Sequence, residues 1–282
     1  MDWPPSSAVR PPSLISTLNP KSQPGSPFMT RLAPEIRLMI YECIFGYRNL
    51  HIFIYEEKLV SLLCKNPTAI GFDGHEICIG MPMYRSPGMD WNSELLQDRP
   101  SCREKPYNSS ILATCRAIYL ESVDILYRKQ VLHFSNLISI AVFPRAIIPH
   151  HLDVLQHIKL SLALFKRGDI IHAYFNNAFS RNWQGWDEAS AAGDTPWQCT
   201  WNAIAELRAL HTLSVTLEVS PEDHDALWSR SMPADFETLL FQPMRQVVCE
   251  DFTVRVNWPC TGNMFEGCPF RLERFGDAER ET

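Results

Sequence analysis

His157-Ile158-Lys159-Leu160-Ser161-Leu162-Ala163-Leu164 alternates strictly between large apolar residues and smaller or polar ones. Successive side chains of an extended chain point to opposite faces, so this period predicts a strand with one apolar face. The pattern returns in His211-Thr212-Leu213-Ser214-Val215-Thr216-Leu217-Glu218-Val219 and in Asp251-Phe252-Thr253-Val254-Arg255-Val256-Asn257-Trp258. Helical patterns separate the three, over Trp201 to Leu210 and over Phe236 to Val247. Strand–helix–strand alternation implies right-handed crossovers and a mixed, partly parallel sheet, hence an α/β fold, with α+β as the alternative. Leu207 to Val215 has the flavour of a leucine-rich repeat. The strands start at 157, 211 and 251, however, too unevenly for a solenoid period, and a single α/β sheet accounts for them as well.

Working back toward the N-terminus, Leu32-Ala33-Pro34-Glu35-Ile36-Arg37-Leu38-Met39-Ile40-Tyr41-Glu42-Cys43-Ile44-Phe45-Gly46 is the best-punctuated helix. Proline sits where a first turn tolerates it, Glu35 complements the dipole, and Gly46 is a C-terminal stop. Ile36, Met39, Ile40, Cys43 and Ile44 form one apolar stripe. Leu50 to Tyr55 and Leu59 to Cys64 read as short strands. Ile70 to Ile79 carries Asp73-Gly74 between apolar arms, a hairpin signal. Four prolines mark residues 80 to 109 as a long loop. A second helix is expected from about Ser110 to Lys129, capped by Ser109 or Ser110, with Ile111, Cys115, Ile118, Ser122 and Ile125 on one face. Val131 to Phe134 reads as a strand and Leu137 to Val142 as a short buried helix. Residues 1–27 hold seven of the 21 prolines and no helical or strand period, which predicts a disordered tail. The expected organisation is therefore a tail (1–27), a first half with a hairpin insert (28–150) and an α/β half (151–282), the two halves forming one compact unit.

Composition narrows the functional classes. Hydrophobic residues make up 45% and charged residues 21% of the 282, as in an ordinary globular protein. The net charge of −6 lacks the basic footprint of a nucleic-acid binder, and no apolar run is long enough to span a membrane. Nine cysteines, an odd number without any Cys-x-x-Cys pair, do not describe a disulfide scaffold. Cys43 and Cys115 sit within apolar patterns and read as small buried hydrophobes. With no secretory signal at the start, an intracellular location, cytoplasm or nucleus, is expected.

Known chemistries find little support. Cys64, His75 and Cys78 could converge across the hairpin, but a zinc site needs two close ligand pairs, so no metal and no cofactor are expected. His150-His151 follows Pro149 in an expected loop and reads as surface-exposed. Cys249 to Arg255 matches the Cys-x5-Arg spacing of a phosphatase loop, yet Glu250 and Asp251 would repel phosphate and raise the thiol pKa. Trp197 and Trp201, four residues apart, read as staples holding a helix on the core. Trp183 and Trp186 fall in an expected surface loop from Arg181 to Asp194.

Two blocks resemble something specific. Phe28 to Tyr41 resembles the opening helix of F-box-like proteins, which runs Leu-Pro and then Glu-Ile/Leu-Arg-x-x-Ile. Ile111-Leu112-Ala113-Thr114-Cys115-Arg116-Ala117-Ile118-Tyr119-Leu120-Glu121-Ser122, with Ile125-Leu126-Tyr127 and Leu132-His133-Phe134 after it, is similar to a second block. Together, in this order, they resemble fungal F-box-like proteins carrying a domain of unknown function, the DUF7730-like group. The resemblance implies F-box-like N-terminal helices, docking onto a Skp1-type adaptor of a ubiquitin ligase, and substrate choice by the C-terminal half. Leu32, Pro34, Ile36 and Ile40 would then supply the apolar contacts with that protein partner. The chain departs from the pattern by inserting Ala33 into Leu-Pro and by separating the two helices with a long insert. The same four residues are equally expected to be core, and we take the core reading first. The functional expectation is a non-enzymatic protein-interaction module, an F-box-like substrate receptor among its forms. The alternatives are an orphan enzyme built on Cys64, Asp73 and His75, and a purely structural or self-associating protein.

Overall fold

The computed structural model describes residues 25–55, 58–68, 111–112, 114–135, 137–164, 195–219, 236–259 and 267–275. The tail before residue 25, the hairpin at Asp73-Gly74, the loop 80–109 and the Trp183/Trp186 segment lie outside them. The described elements are α1 (Pro27–Arg31), α2 (Pro34–Phe45), β1 (Asn49–Tyr55), β2 (Lys58–Leu63), α3 (Arg116–Lys129), β3 (Val131–Phe134), α4 (Leu137–Ala146), α5 (Pro149–Leu152), β4 (His157–Ala163), α6 (Pro196–Ala205), β5 (Thr212–Glu218), α7 (Phe236–Phe241), a 3₁₀ turn (Gln242–Gln246), β6 (Asp251–Val256) and β7 (Arg271–Arg274). No described helix is long and apolar enough to cross a membrane.

The fold is α/β, and its sheet is more regular than expected. Seven strands run in the order β2-β1-β3-β4-β5-β6-β7; β2 is antiparallel to β1, and every other pair is parallel. Parallel strands therefore follow chain order from β1 to β7. The β3–β4 pairing carries the sheet across the boundary drawn at residue 150. β7 had no counterpart in the sequence pattern. The helix expected from Ser110 begins six residues later, at Arg116, behind an extended Cys115. The helix expected from Trp201 begins at Pro196, where Thr195 and Gln198 form a reciprocal capping box.

The period-two pattern becomes a two-faced sheet. Leu50, Leu132, Ile158, Leu213 and Phe252 lie side by side in register, as do Ile52, Phe134, Leu160, Val215 and Val254. These rows join Ile140 and Phe143 of α4, Trp197, Trp201 and Ile204 of α6, and Leu240 and Phe241 of α7 in one core. Trp197 and Trp201 meet edge to face at 5.4 Å, Trp201 stacks on Phe252, and the Trp197 indole N–H donates to the Leu240 carbonyl. The staple expected of these tryptophans is in place.

The opposite face is polar. His51, His133, Lys159, Ser214, Thr253 and Arg271 form a single row across six strands. Ser161, Thr216, Arg255 and Glu273 form the next. A hydrogen bond between His133 Nε2 and Ser161 Oγ (2.8 Å) links the two rows, and bonds from Arg255 Nε to Glu273 Oε2 (2.7 Å) and from Arg271 Nη2 to Thr253 Oγ1 (3.2 Å) run along them. At the far edge a buried carboxylate holds β7. Glu237 accepts from the Trp258 indole and from both terminal nitrogens of Arg274, which also reaches the carbonyls of Trp258 and Pro259.

Because only one face carries the apolar rows, the two faces should respond differently to truncation. Leu160→Ala, at a fully buried position, is expected to lower the unfolding free energy by about 2–5 kcal/mol in urea titrations. Ser214→Ala on the polar face should cost less than about 1 kcal/mol. Equal losses would contradict the one-sided core.

Candidate functional site

α2 starts where the sequence places it. Ala33, inserted into the Leu-Pro pattern, serves as its N-cap in an extended conformation, and its carbonyl accepts from the amides of Ile36 and Arg37. The helix stops at Gly46, whose φ of 57° is the left-handed region that glycine enters without strain. Its rotation, however, differs from the expectation. Arg37, Tyr41 and Phe45, spaced i, i+4 and i+8, face inward and are buried.

Arg37 is the reason. Its Nε and Nη2 donate to both carboxylate oxygens of Glu121 on α3, at 2.9 and 2.7 Å. Its Nη1 donates to the carbonyls of Met29 and Leu32 at the end of α1, at 3.2 and 2.7 Å. The Tyr41 hydroxyl donates a third bond to Glu121, at 3.1 Å. The planar guanidinium fork matches a carboxylate in one geometry, so the pair sets the angle of α2 about its own axis. Around it Tyr41, Phe45 and Ile125 form a small core with Phe28, Ile44, Ile111, Leu112, Ile118 and Leu126. The Gln130 side-chain amide donates to the carbonyls of Phe45 and Gly46, joining the C-terminal ends of α2 and α3. The hydrogen bonds from Arg37 hold the Glu121 carboxyl below its ordinary range. Burial, reinforced by Glu121, pushes the Tyr41 phenol up to about 12.

That inward face leaves an apolar stripe outside, which corrects the core reading. Ile36 is 45% and Met39 61% exposed, and Cys43, expected as a buried thiol, is exposed too. Ile40 and Ile44 are half-buried on the shoulder of the stripe. Of the other two candidate contacts, Pro34 is exposed at the helix start and Leu32 is half-buried in the α1–α2 link. The stripe was legible as a stripe. Its direction was not, because the residues that decide it are polar and one of them lies 84 positions downstream.

The remaining candidates are placed as follows. Cys64 and Cys115 are buried; Asp73, His75 and Cys78 lie outside the described residues. Among the described residues no group of three His, Cys, Asp or Glu side chains could hold a metal ion. Cys249 donates its thiol to the His211 carbonyl, and burial pushes its pKa up, while Arg255 is held by Glu273 on the neighbouring strand. Such a thiol is not the thiolate a phosphatase loop requires. The expected exposed loop at His150-His151 is instead the short helix α5. His150 is exposed, but His151 is buried between Tyr119 and Tyr127 of α3. A shallow cleft between α6 and the 3₁₀ turn is lined by Gln198, Asn202, Gln242, Pro243, Arg245 and Gln246, a set without a nucleophile or carboxylate.

A family model described as a domain of unknown function, DUF7730, matches residues 21–274. No curated protein and no solved structure matches the chain.

The Glu121 carboxyl is held below 4.5 in the folded protein and returns to that value on unfolding. Its contribution is therefore complete above pH 4.5 and is lost as pH falls through the folded value. Glu121→Gln should lower the melting temperature at pH 7 and flatten its acid dependence below pH 4.5. An unchanged acid slope in that variant would contradict the ionised lock.

Proposed function

The chain belongs to the DUF7730 family, and we propose that it acts as a non-enzymatic intracellular interaction module whose docking surface is the outward stripe of α2. In this reading Ile36 and Met39 are the central apolar contacts, with Cys43 between the helix turns and Ile40, Pro34 and Leu32 at the margins. The partner is a protein with a complementary apolar groove, a Skp1-type adaptor in the F-box-like form of the reading. The carrying observation is the exposure of Ile36 and Met39 on a helix whose opposite face is locked by Arg37 and Glu121.

Two further features support it. The two blocks that resemble an F-box pack directly on each other, so the long insert between them has not separated the helices. Ala33, which interrupts Leu-Pro, is accommodated as an N-cap and leaves the helix intact. A rigid helix that presents an apolar stripe loses little conformational entropy on docking, which favours affinity for a groove.

The test is retention of the full chain on an immobilised Skp1-type adaptor. Wild type is expected to bind, and Ile36→Asp and Met39→Asp should each weaken binding at least about tenfold, while circular dichroism and urea unfolding stay unchanged. Absence of binding by the folded wild type, or undiminished binding by both folded variants, overturns the adaptor reading.

A further inference from the structure

The face of α3 that looks away from α2 carries a second cluster. The His151 ring is 5% exposed, and both its nitrogens are engaged. Nδ1 lies 3.3 Å from Asp124 Oδ1, and Nε2 lies 3.1 Å from the Tyr119 hydroxyl. Tyr127 stacks on the ring with centroids 5.0 Å apart and an interplanar angle of 11°. The exposed His150 brings its Nε2 to 3.4 Å from the other oxygen of Asp124. Two adjacent histidines of α5 thus share one carboxylate of α3. α5 leads into β4, and its Leu152 packs on the main core, so this cluster joins the α2–α3 unit to the sheet.

We propose that Tyr119, Asp124, His150 and His151 form a proton-operated latch that holds α5 to α3 while His151 is neutral and loosens when His151 takes up a proton. A ring only 5% exposed favours the neutral form, and the hydrogen-bond pattern accommodates it. Nδ1–H donates to Asp124, and the Tyr119 O–H donates to the bare Nε2. A proton added at Nε2 turns that nitrogen from acceptor into donor. The Tyr119 hydroxyl must then turn its own proton away and loses its acceptor in a part-buried position.

The groups facing His151 set the balance. From α3, Asp124 favours a charged ring, and so does the stacked face of Tyr127. From α5, a charged His150 opposes it. Burial opposes it most, and the His151 pKa lies below the ordinary 6.5. Tyr119 and Tyr127 are both raised by burial, Tyr127 to about 12, so both phenols keep their protons throughout. His151 therefore binds more protons unfolded than folded between its folded pKa and 6.5. The latch is complete above 6.5 and is lost as pH falls through the folded value. None of this depends on the adaptor reading, and its failure would leave that reading untouched.

The test uses the full chain with carbon-13-labelled histidine. The His151 Cε1 resonance is expected to titrate with a midpoint below 6.5, lower still in Asp124→Asn and higher in His150→Gln. Through the wild-type midpoint, protection of the His151 and Asp153 amides against hydrogen exchange, corrected for intrinsic rate, should fall. The Cys199 and Glu206 amides of the α6 region serve as the reference and should hold. A midpoint at or above 6.5, a midpoint unmoved by both variants, or α5 protection that only follows α6 overturns the latch.

Discussion

Arg37 and Glu121 meet through a two-point hydrogen-bonded ion pair, and the presentation of the N-terminal helices depends on it. An apolar helix face slides and rotates on a hydrophobic surface at little cost, because dispersion and water exclusion are non-directional. A guanidinium locked on a carboxylate does neither. The same arginine gathers the carbonyls that end α1, and the same glutamate accepts from Tyr41, so three helices share one polar centre. Buried ion pairs add little net stability relative to well-packed apolar side chains. In this protein the pair's contribution is orientation. With Arg37, Tyr41 and Phe45 turned in, Ile36, Met39 and Cys43 have no position left but outside.

The sheet obeys a different constraint. Parallel sheets are usually covered on both faces and read as continuous apolar runs. Here the strands alternate, the helices α4, α6 and α7 supply one core, and the other face is a lattice of His, Lys, Ser, Thr, Arg and Glu side chains in register. The protein solves the polar-face problem as it solves the α2–α3 contact, by pairing side chains with each other. Glu273 with Arg255, and His133 with Ser161, are its instances.

Much of the fold was legible because strand and helix periods are local properties of the chain. β3, β4, β5 and β6 appear within a residue or two of their alternating runs, and α2 appears between its proline and its glycine. The misses follow from non-local causes. α3 starts at Arg116 rather than Ser110, although the serines offered a better cap. β7 is too short and too charged, Arg-Leu-Glu-Arg, to carry a period of its own, and it is a strand because β6 and Glu237 hold it. His151 looked like a loop histidine until α3 placed two tyrosines and an aspartate around it.

By itself the sequence determined which segments alternate and therefore which can be strands with one apolar face, and it determined that α2 carries an apolar stripe. Whether that stripe was core or surface was decided only in the tertiary structure. The reason is that hydrophobic periodicity identifies a face without saying which way it points. Direction came from a charge pair whose members are 84 residues apart, and no local pattern contains both.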